Sequence, residues 1–232
     1  MKFTKKMGYT FAIASMFSVA LSGCGGGGGS DESDSFSYNG LYANSNDHVF
    51  MVVDSQRPNE NIIVGDFLNN AIIVSHKATV SSNRLSIKGL TYIDLSTWVY
   101  DEALAGSVLF NDDVVTLSAV VENQTYLYSM KKTDNSLSLL NIAGTHTNSI
   151  DGSVWTVALN GAFQINTGCF ISGTMSRNGA YFDVTAQAEN CADSSLDGQY
   201  TGVMATALYG GSHYLAGVMS SDTGAIWGSV PL

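Results

Sequence analysis

The strongest constraint on the fold of this chain is the length and alternation of its apolar segments. From about residue 38 onward, segments of four to nine residues rich in Val, Ile, Tyr, Phe and Thr alternate with clusters of Gly, Asn, Asp and Ser. Within Gln124–Lys131, for example, Tyr126, Tyr128 and Met130 share one face, which is the two-residue period of a strand rather than the 3.6-residue period of a helix. The sequence therefore predicts an all-β, antiparallel fold.

Sixteen segments fit this pattern, and Asn-rich dipeptides typical of hairpin turns stand between several of them. The predicted strands are His48–Asp54, Asn61–Phe67, Ala71–His76, Arg84–Leu90, Thr97–Tyr100, Ala103–Phe110, Val114–Val121, Gln124–Lys131, Leu140–Thr147, Ser153–Leu159, Ala162–Thr167, Cys169–Met175, Ala180–Gln187, Tyr200–Leu208, His213–Ser220 and Gly224–Ser229. The predicted turns are Asn69-Asn70, Asn111-Asp112, Asn160-Gly161 and Asn178-Gly179.

A weak internal repeat divides this region in two. Residues 40–47 and 144–151 match at four of eight positions, and each block precedes a Val-aromatic-x-Val sequence, at Val49–Val52 and at Val154–Val157. The spacing of about 105 residues is that of a small β-domain rather than a solenoid repeat. We therefore expect two units, 38–138 and 139–232, each with about eight strands in meander order that close into a barrel or a sandwich. A chance match is the alternative to duplication.

The N-terminus has the layout of a secretory signal peptide. Lys2, Lys5 and Lys6 precede an apolar run, Tyr9–Leu21, that is too short to span a bilayer. The sequence Leu21-Ser22-Gly23-Cys24 resembles the lipobox of bacterial lipoproteins. The resemblance implies removal of residues 1–23 and attachment of diacylglycerol and palmitate-type acyl chains to Cys24. An ordinary signal peptide with an incidental cysteine is the alternative.

Several properties of the mature chain follow from this resemblance. Each acyl CH₂ buried in a bilayer contributes roughly 0.8 kcal/mol, so two or three chains anchor a protein stably. Gly25, rather than Asp, follows the lipidated cysteine, which among lipoproteins of bacteria with two membranes favours the outer membrane. Residues 24–37 hold five consecutive glycines and an acidic, serine-rich stretch, and we expect them to form a flexible linker.

The charge of the mature chain excludes one class of partner. Three of the ten Lys and Arg residues lie in the signal peptide, which leaves seven basic against 20 acidic residues and a net charge of −13. Such a chain does not bind nucleic acid by charge.

Cys169 and Cys191 are the two cysteines that remain after Cys24. Outside the cytoplasm they are expected to form a disulfide, which would close a loop of about 20 residues and stabilise the fold by about 3 kcal/mol. A metal site or a reactive thiol is the alternative, but no Cys-x-x-Cys or clustered histidine accompanies the pair.

The sequence offers no convincing catalytic, cofactor or metal site. The four histidines, His48, His76, His146 and His213, are scattered singly. Asp222-Thr223-Gly224 matches the core of an aspartic protease, but that chemistry needs a second such carboxylate. We interpret the motif as a hairpin turn and predict that the protein is not an enzyme.

Two aromatic clusters are candidates for exposure, Trp98-Val99-Tyr100 and Tyr209–Tyr214. Exposed Tyr and Trp side chains stack on sugars or form hot spots for protein partners. We therefore predict an outer-membrane-anchored binding or assembly factor for an envelope protein, with a glycan as another candidate ligand. The openings Gly40-Leu41-Tyr42 and Gly198–Gly202 resemble the Gly-x-aromatic start of calycin and lipocalin-like barrels. This resemblance implies the alternative function, carriage of an apolar ligand inside a barrel.

Overall fold

The fold is nearly all β, as the alternation predicted. In the computed structural model, residues 1–5, 36–222 and 224–232 are described. Strands account for 65% of the described residues and helices for 4%, which confirms the all-β prediction. Cys24, the predicted cleavage site before it, and most of the predicted linker lie outside the described residues.

The first unit is a closed antiparallel barrel of eight strands in meander order. It closes where Tyr42 of the first barrel strand pairs with Lys132 of the last. The barrel strands are β2 (Gly40–Asn44), β3 (Val49–Val53), β4 (Ile62–Asp66), β5 (Ala71–Ser81), β6 (Arg84–Ile93), β7 (Trp98–Asn111), β8 (Val114–Val121) and β9 (Gln124–Lys132).

The second unit is a curled antiparallel sheet of eight strands, again in meander order, and an N-terminal strand β1 (Lys2–Lys5) pairs with the last of them. Its strands are β10 (Gly144–Thr147), β11 (Val154–Val157), β12 (Ala162–Asn166), β13 (Phe170–Asn178), β14 (Tyr181–Glu189), β15 (Gly198–Tyr209), β16 (Ser212–Ser220) and β17 (Gly224–Pro231). A one-turn helix α1 (Leu139–Ile142) precedes β10, and a 3₁₀ turn (Ser194–Leu196) precedes β15.

The structure differs from the predicted strands in three places. The segment predicted as a strand at Leu140–Thr147 begins instead as α1, because Ile142 turns inward and is fully buried, and a short apolar run does not distinguish a strand from a helical turn. The predicted strands Thr97–Tyr100 and Ala103–Phe110 form one continuous strand, β7. It has an irregularity opposite Gly89, where the Asp101 side chain accepts a 2.7 Å hydrogen bond from the Ala103 amide. Strand β2 was not among the predicted strands, because Gly and Asn flank its three apolar residues.

Two cores fill the units, and a third apolar layer joins them. Strand β3 contributes side chains both to the barrel core and to this shared layer. Val49, Met51 and Val53 point into the barrel, whereas Phe50 and Val52 point outward into a layer shared with the outer face of β14–β17. From the second unit, Val203, Val218 and Trp227 belong to the same layer. Strands covered on both faces are apolar at successive positions, which is why β3 and β4 lack the alternation seen in β9.

Candidate binding cleft

A cleft of about 540 Å³ lies where the barrel meets the β16–β17 turn of the second unit. The barrel strands β5, β6 and β7 form most of its wall, and the second unit contributes Ser220, Ser221 and Asp222. The remaining lining residues are Asn59, Glu60, Val74, His76, Lys77, Lys88, Gly89, Thr91, Ile93, Trp98, Tyr100 and Glu102. The cleft therefore includes one of the two aromatic clusters that the sequence singled out.

Gly89 makes room for the imidazole that forms one wall of the cleft. Gly89 sits at the register shift between β6 and β7 with φ of +79°, and a Cβ atom there would lie 2.7 Å from His76 Nδ1. His76 Nε2 lies 2.9 Å from the Thr91 hydroxyl oxygen, and its ring lies 4.5 Å from the Tyr100 ring. The bulge thus fixes His76 against two neighbours.

Trp98 and Tyr100 give the cleft its aromatic character. The Tyr100 side chain is 50% exposed, and its hydroxyl donates a 3.1 Å hydrogen bond to Glu102. Burial and the neighbouring Glu102 carboxylate both raise the pKa of Tyr100. The indole Nε1 of Trp98 is buried and has no hydrogen-bond partner among the described residues. A flat apolar surface with charged side chains around it suits an amphipathic side chain of a partner.

An ionic network holds the loop that supplies Asn59 and Glu60 to the cleft. Arg57 of this loop donates a 2.6 Å hydrogen bond to Asp183 of β14, so the network crosses from barrel to sheet. Tyr181 donates at 2.8 Å to Asp54, and Asn178 donates at 2.8 Å to Asp183. Burial raises the pKa of Tyr181 well above its ordinary value, so its hydroxyl stays protonated as a donor.

The two tyrosines of the second predicted aromatic cluster are half-buried and pack against His48, while residues 210–213 between them are exposed. Tyr209 stacks on the His48 ring at 4.2 Å and nearly parallel, while Tyr214 meets the same ring edge-on at 4.7 Å. Phe67 contacts the ring as well. The Nε2 atom of His48 is buried without a hydrogen-bond partner, and burial lowers the pKa of His48 to about 4, against a smaller opposing effect of Asp66. These ring contacts join Tyr209 and Tyr214 of the second unit to His48 of the barrel.

The disulfide cysteines, Asp222 and His146 do not group into one site. Cys169 and Cys191 form the predicted disulfide, which ties the start of β13 to the chain after β14. Asp222 lies in the turn between β16 and β17, where Ser221 N donates a 2.8 Å hydrogen bond to Gly224 O. His146 Nε2 lies 2.8 Å from the Ile142 carbonyl. No three His, Cys, Asp or Glu side chains of the described residues group as metal ligands.

Sequence reasoning missed the role of His76 and Gly89 in the cleft. His76 was one of four isolated histidines, and its contact with Tyr100 joins residues of β5 and β7 that are 24 positions apart. The available signal was Gly89, since an isolated glycine inside a strand pattern marks a bulge or a close approach.

The chain matches no protein-family model, and comparisons with curated proteins and with solved structures found no match. Among the helices of the described residues, none has the length and hydropathy that crossing a membrane requires.

Proposed function

We propose that this protein is a lipoprotein anchored to the outer membrane through Cys24 and that it binds an envelope protein without catalysing a reaction. The cleft carries the binding role. It presents an exposed Tyr100 ring beside the half-buried Trp98, and aromatic side chains in such positions dominate the binding energy of protein interfaces.

The rigid setting of the cleft supports this role. The apolar layer between the units includes Phe50, Val74 and Trp227, all buried, and the Arg57–Asp183 bond closes one side of the junction. Because the cleft walls come from two units that are packed together, little ordering is needed when a partner binds, and a preorganised site gains affinity for that reason.

A partner on the outer surface is favoured over an apolar ligand inside the barrel. Large side chains, including Tyr42, Phe110 and Met130, fill the barrel interior and are each at most 2% exposed. A carrier of lipocalin type needs internal space for its ligand, whereas a partner-binding protein needs only a surface.

The anchor is tested by labelling the native host with radioactive palmitate. The wild-type chain is expected to carry label and to fractionate with the outer membrane, and the Cys24→Ser variant is expected to lose the label. Label that persists in Cys24→Ser would contradict the anchor.

The binding role is tested by mild crosslinking in the envelope, detergent extraction and immunoprecipitation with antibodies against the chain. We expect the wild-type protein to recover a stoichiometric protein partner and Tyr100→Ala to recover several-fold less. Leu127→Ala is the matched control, because Leu127 is 67% exposed on the barrel surface and does not line the cleft. Equal recovery by wild type and Tyr100→Ala, or no partner in either, would refute the proposal.

A further inference from the structure

Strand β1 occupies an edge of the second unit. Lys2–Lys5 pairs antiparallel with β17, with Lys2 opposite Trp227 and Lys5 opposite Gly224. The Met1 side chain is 6% exposed and belongs to the core of the curled sheet. The N-terminal amine forms an ion pair with Asp151. Residues 1–5 are thus held by backbone pairing with β17, by the apolar contact of Met1 and by the ion pair with Asp151.

Gly228 of β17 leaves space for the backbone of such a segment. A Cβ atom at Gly228 would lie 2.8 Å from Met1 Cα, too close for two unbonded atoms, and the backbone of Gly228 lies outside the left-handed region that favours glycine. The absent side chain is therefore required by the strand lying over Gly228, not by the local conformation.

A side chain of the second unit limits how much of the β17 edge can pair with an added strand. Past Trp227, the Asn148 side chain donates a 3.0 Å hydrogen bond to the carbonyl of Ser229, so a side chain of the chain itself already reaches this part of β17. The edge that β1 covers therefore comprises Gly224–Trp227, the length of one short strand.

The signal peptide predicted at 1–23 contains β1, so its removal would leave this edge without a partner strand. We propose that in the mature protein Gly224–Trp227 receives an extended segment of the envelope partner as an added antiparallel strand. This inference rests on the proposed function, because processing before Cys24 is what removes β1. Unpaired strand edges bind extended peptides through main-chain hydrogen bonds, while side-chain pockets give specificity.

The contacts of β1 define the chemistry of that segment. It carries an apolar residue over Gly228 and a positive group near Asp151, and it meets a mature chain of net charge −13. Desolvation raises the pKa of Asp151, but with the amine bound, hydrogen bonds from the amine and from Ser153 outweigh it and hold that pKa below its ordinary value, so the carboxylate is charged opposite the positive group.

The edge and the cleft are adjacent. Lys5 lies opposite Gly224, which is two residues from Asp222 in the cleft wall. A partner segment that leaves β17 at this end emerges beside the Ser220–Asp222 wall of the cleft, which places both features within reach of one partner.

The test uses the mature protein, purified in detergent from envelopes, and the synthetic peptide Met-Lys-Phe-Thr-Lys with an amidated, fluorescent C-terminus. We expect saturable binding measured by fluorescence anisotropy, together with slower hydrogen exchange of the Gly224–Trp227 amides. A peptide with Phe3→Pro is the matched control, because proline cannot donate to a strand ladder. It is expected not to bind.

Two protein variants make the test specific. Gly228→Ala is expected to weaken peptide binding about tenfold or more, since its methyl group overlaps the place of the apolar residue. In the mature protein that place is free, so the variant is expected to keep its unfolding midpoint. Asp151→Asn, which alters a partly exposed side chain, is expected to weaken binding at low salt only.

The intact mass of the purified chain distinguishes a failure of the lipoprotein proposal from a failure of the strand-addition proposal alone. A chain that begins at Met1 would overturn both the lipoprotein function and the open edge. A chain that begins at a lipidated Cys24 but binds no peptide, or whose Gly224–Trp227 amides are already protected without peptide, would overturn the strand-addition proposal alone.

Discussion

Arg57 of the barrel and Asp183 of the curled sheet form a 2.6 Å ion pair that spans the junction of the two units. The Arg57 side chain is 17% exposed, and the same guanidinium also donates to the Tyr181 hydroxyl and to Glu60. One side chain of the β3–β4 loop thus links the wall of the cleft to the second unit.

Replacement of this arginine is expected to weaken the junction. Arg57→Ala leaves Asp183 without its cationic partner, and hydrogen bonds to charged groups contribute roughly 1.5–3 kcal/mol. Because Asp183 is 42% exposed, we expect a loss near the lower end, about 1–2 kcal/mol. Urea unfolding measures it, with Arg84→Ala at an exposed hairpin position as the control. Equal losses in the two variants would contradict the linking role.

Acid is expected to destabilise the junction through His48. Its pKa falls from 6.5 to about 4 on folding, so between these values the unfolded chain binds a proton that the folded protein does not. The contribution of neutral His48 to the free energy of unfolding is fully present above pH 6.5 and decreases as the pH falls toward 4. At pH 5 the resulting loss in the free energy of unfolding is about 2 kcal/mol.

The His48 effect is measured as the change in unfolding free energy between pH 7 and pH 5. His48→Phe keeps an aromatic ring beside Tyr209 but does not titrate, so its loss over this interval is expected to be smaller than that of the wild type. His213→Phe, at an exposed position, is the control. A His48→Phe variant with undiminished pH dependence would exclude His48 as the cause.

A methyl group at Gly89 is expected to displace His76. Gly89→Ala combines a left-handed backbone with a Cβ atom 2.7 Å from His76 Nδ1, which together cost about 3 kcal/mol. Gly179→Ala separates the two effects, because Gly179 also has positive φ but nothing within 4 Å of the added Cβ atom. We expect about 1 kcal/mol there. Thermal unfolding and partner recovery report the result; similar losses at both glycines would rule out the steric contact.

The disulfide is expected to stabilise the second unit. Cys169 and Cys191 are 22 positions apart, and closing a loop of this size contributes about 3 kcal/mol on the chain-entropy estimate. The double variant with both cysteines replaced by serine is expected to unfold at lower urea than the oxidised wild type. The wild type treated with reductant is the control and is expected to match the double variant. A midpoint unchanged by either treatment would contradict this contribution.

Local sequence determined most of the strands. Val114–Val121 was predicted with the bounds that the structure has, and the positive φ values of Asn70, Asp112, Gly161 and Gly179 fall in the predicted turns. Side-chain alternation and turn conformation depend on residues close in sequence, so they can be read from it directly. The anchor at Cys24, the linker and the duplication stay predictions.

Only the tertiary structure decided which outer faces are covered and which side chains meet. It buried Phe50 and Val52 against the second unit, enclosed His48 between Tyr209 and Tyr214, and left Tyr100 half exposed beside His76. An aromatic residue in a strand has the same local pattern whether its face meets water or another sheet. The outcome depends on contacts between residues far apart in sequence, 24 positions for His76 and Tyr100 and more than 100 for His48 and Tyr209, which local side-chain patterns do not show.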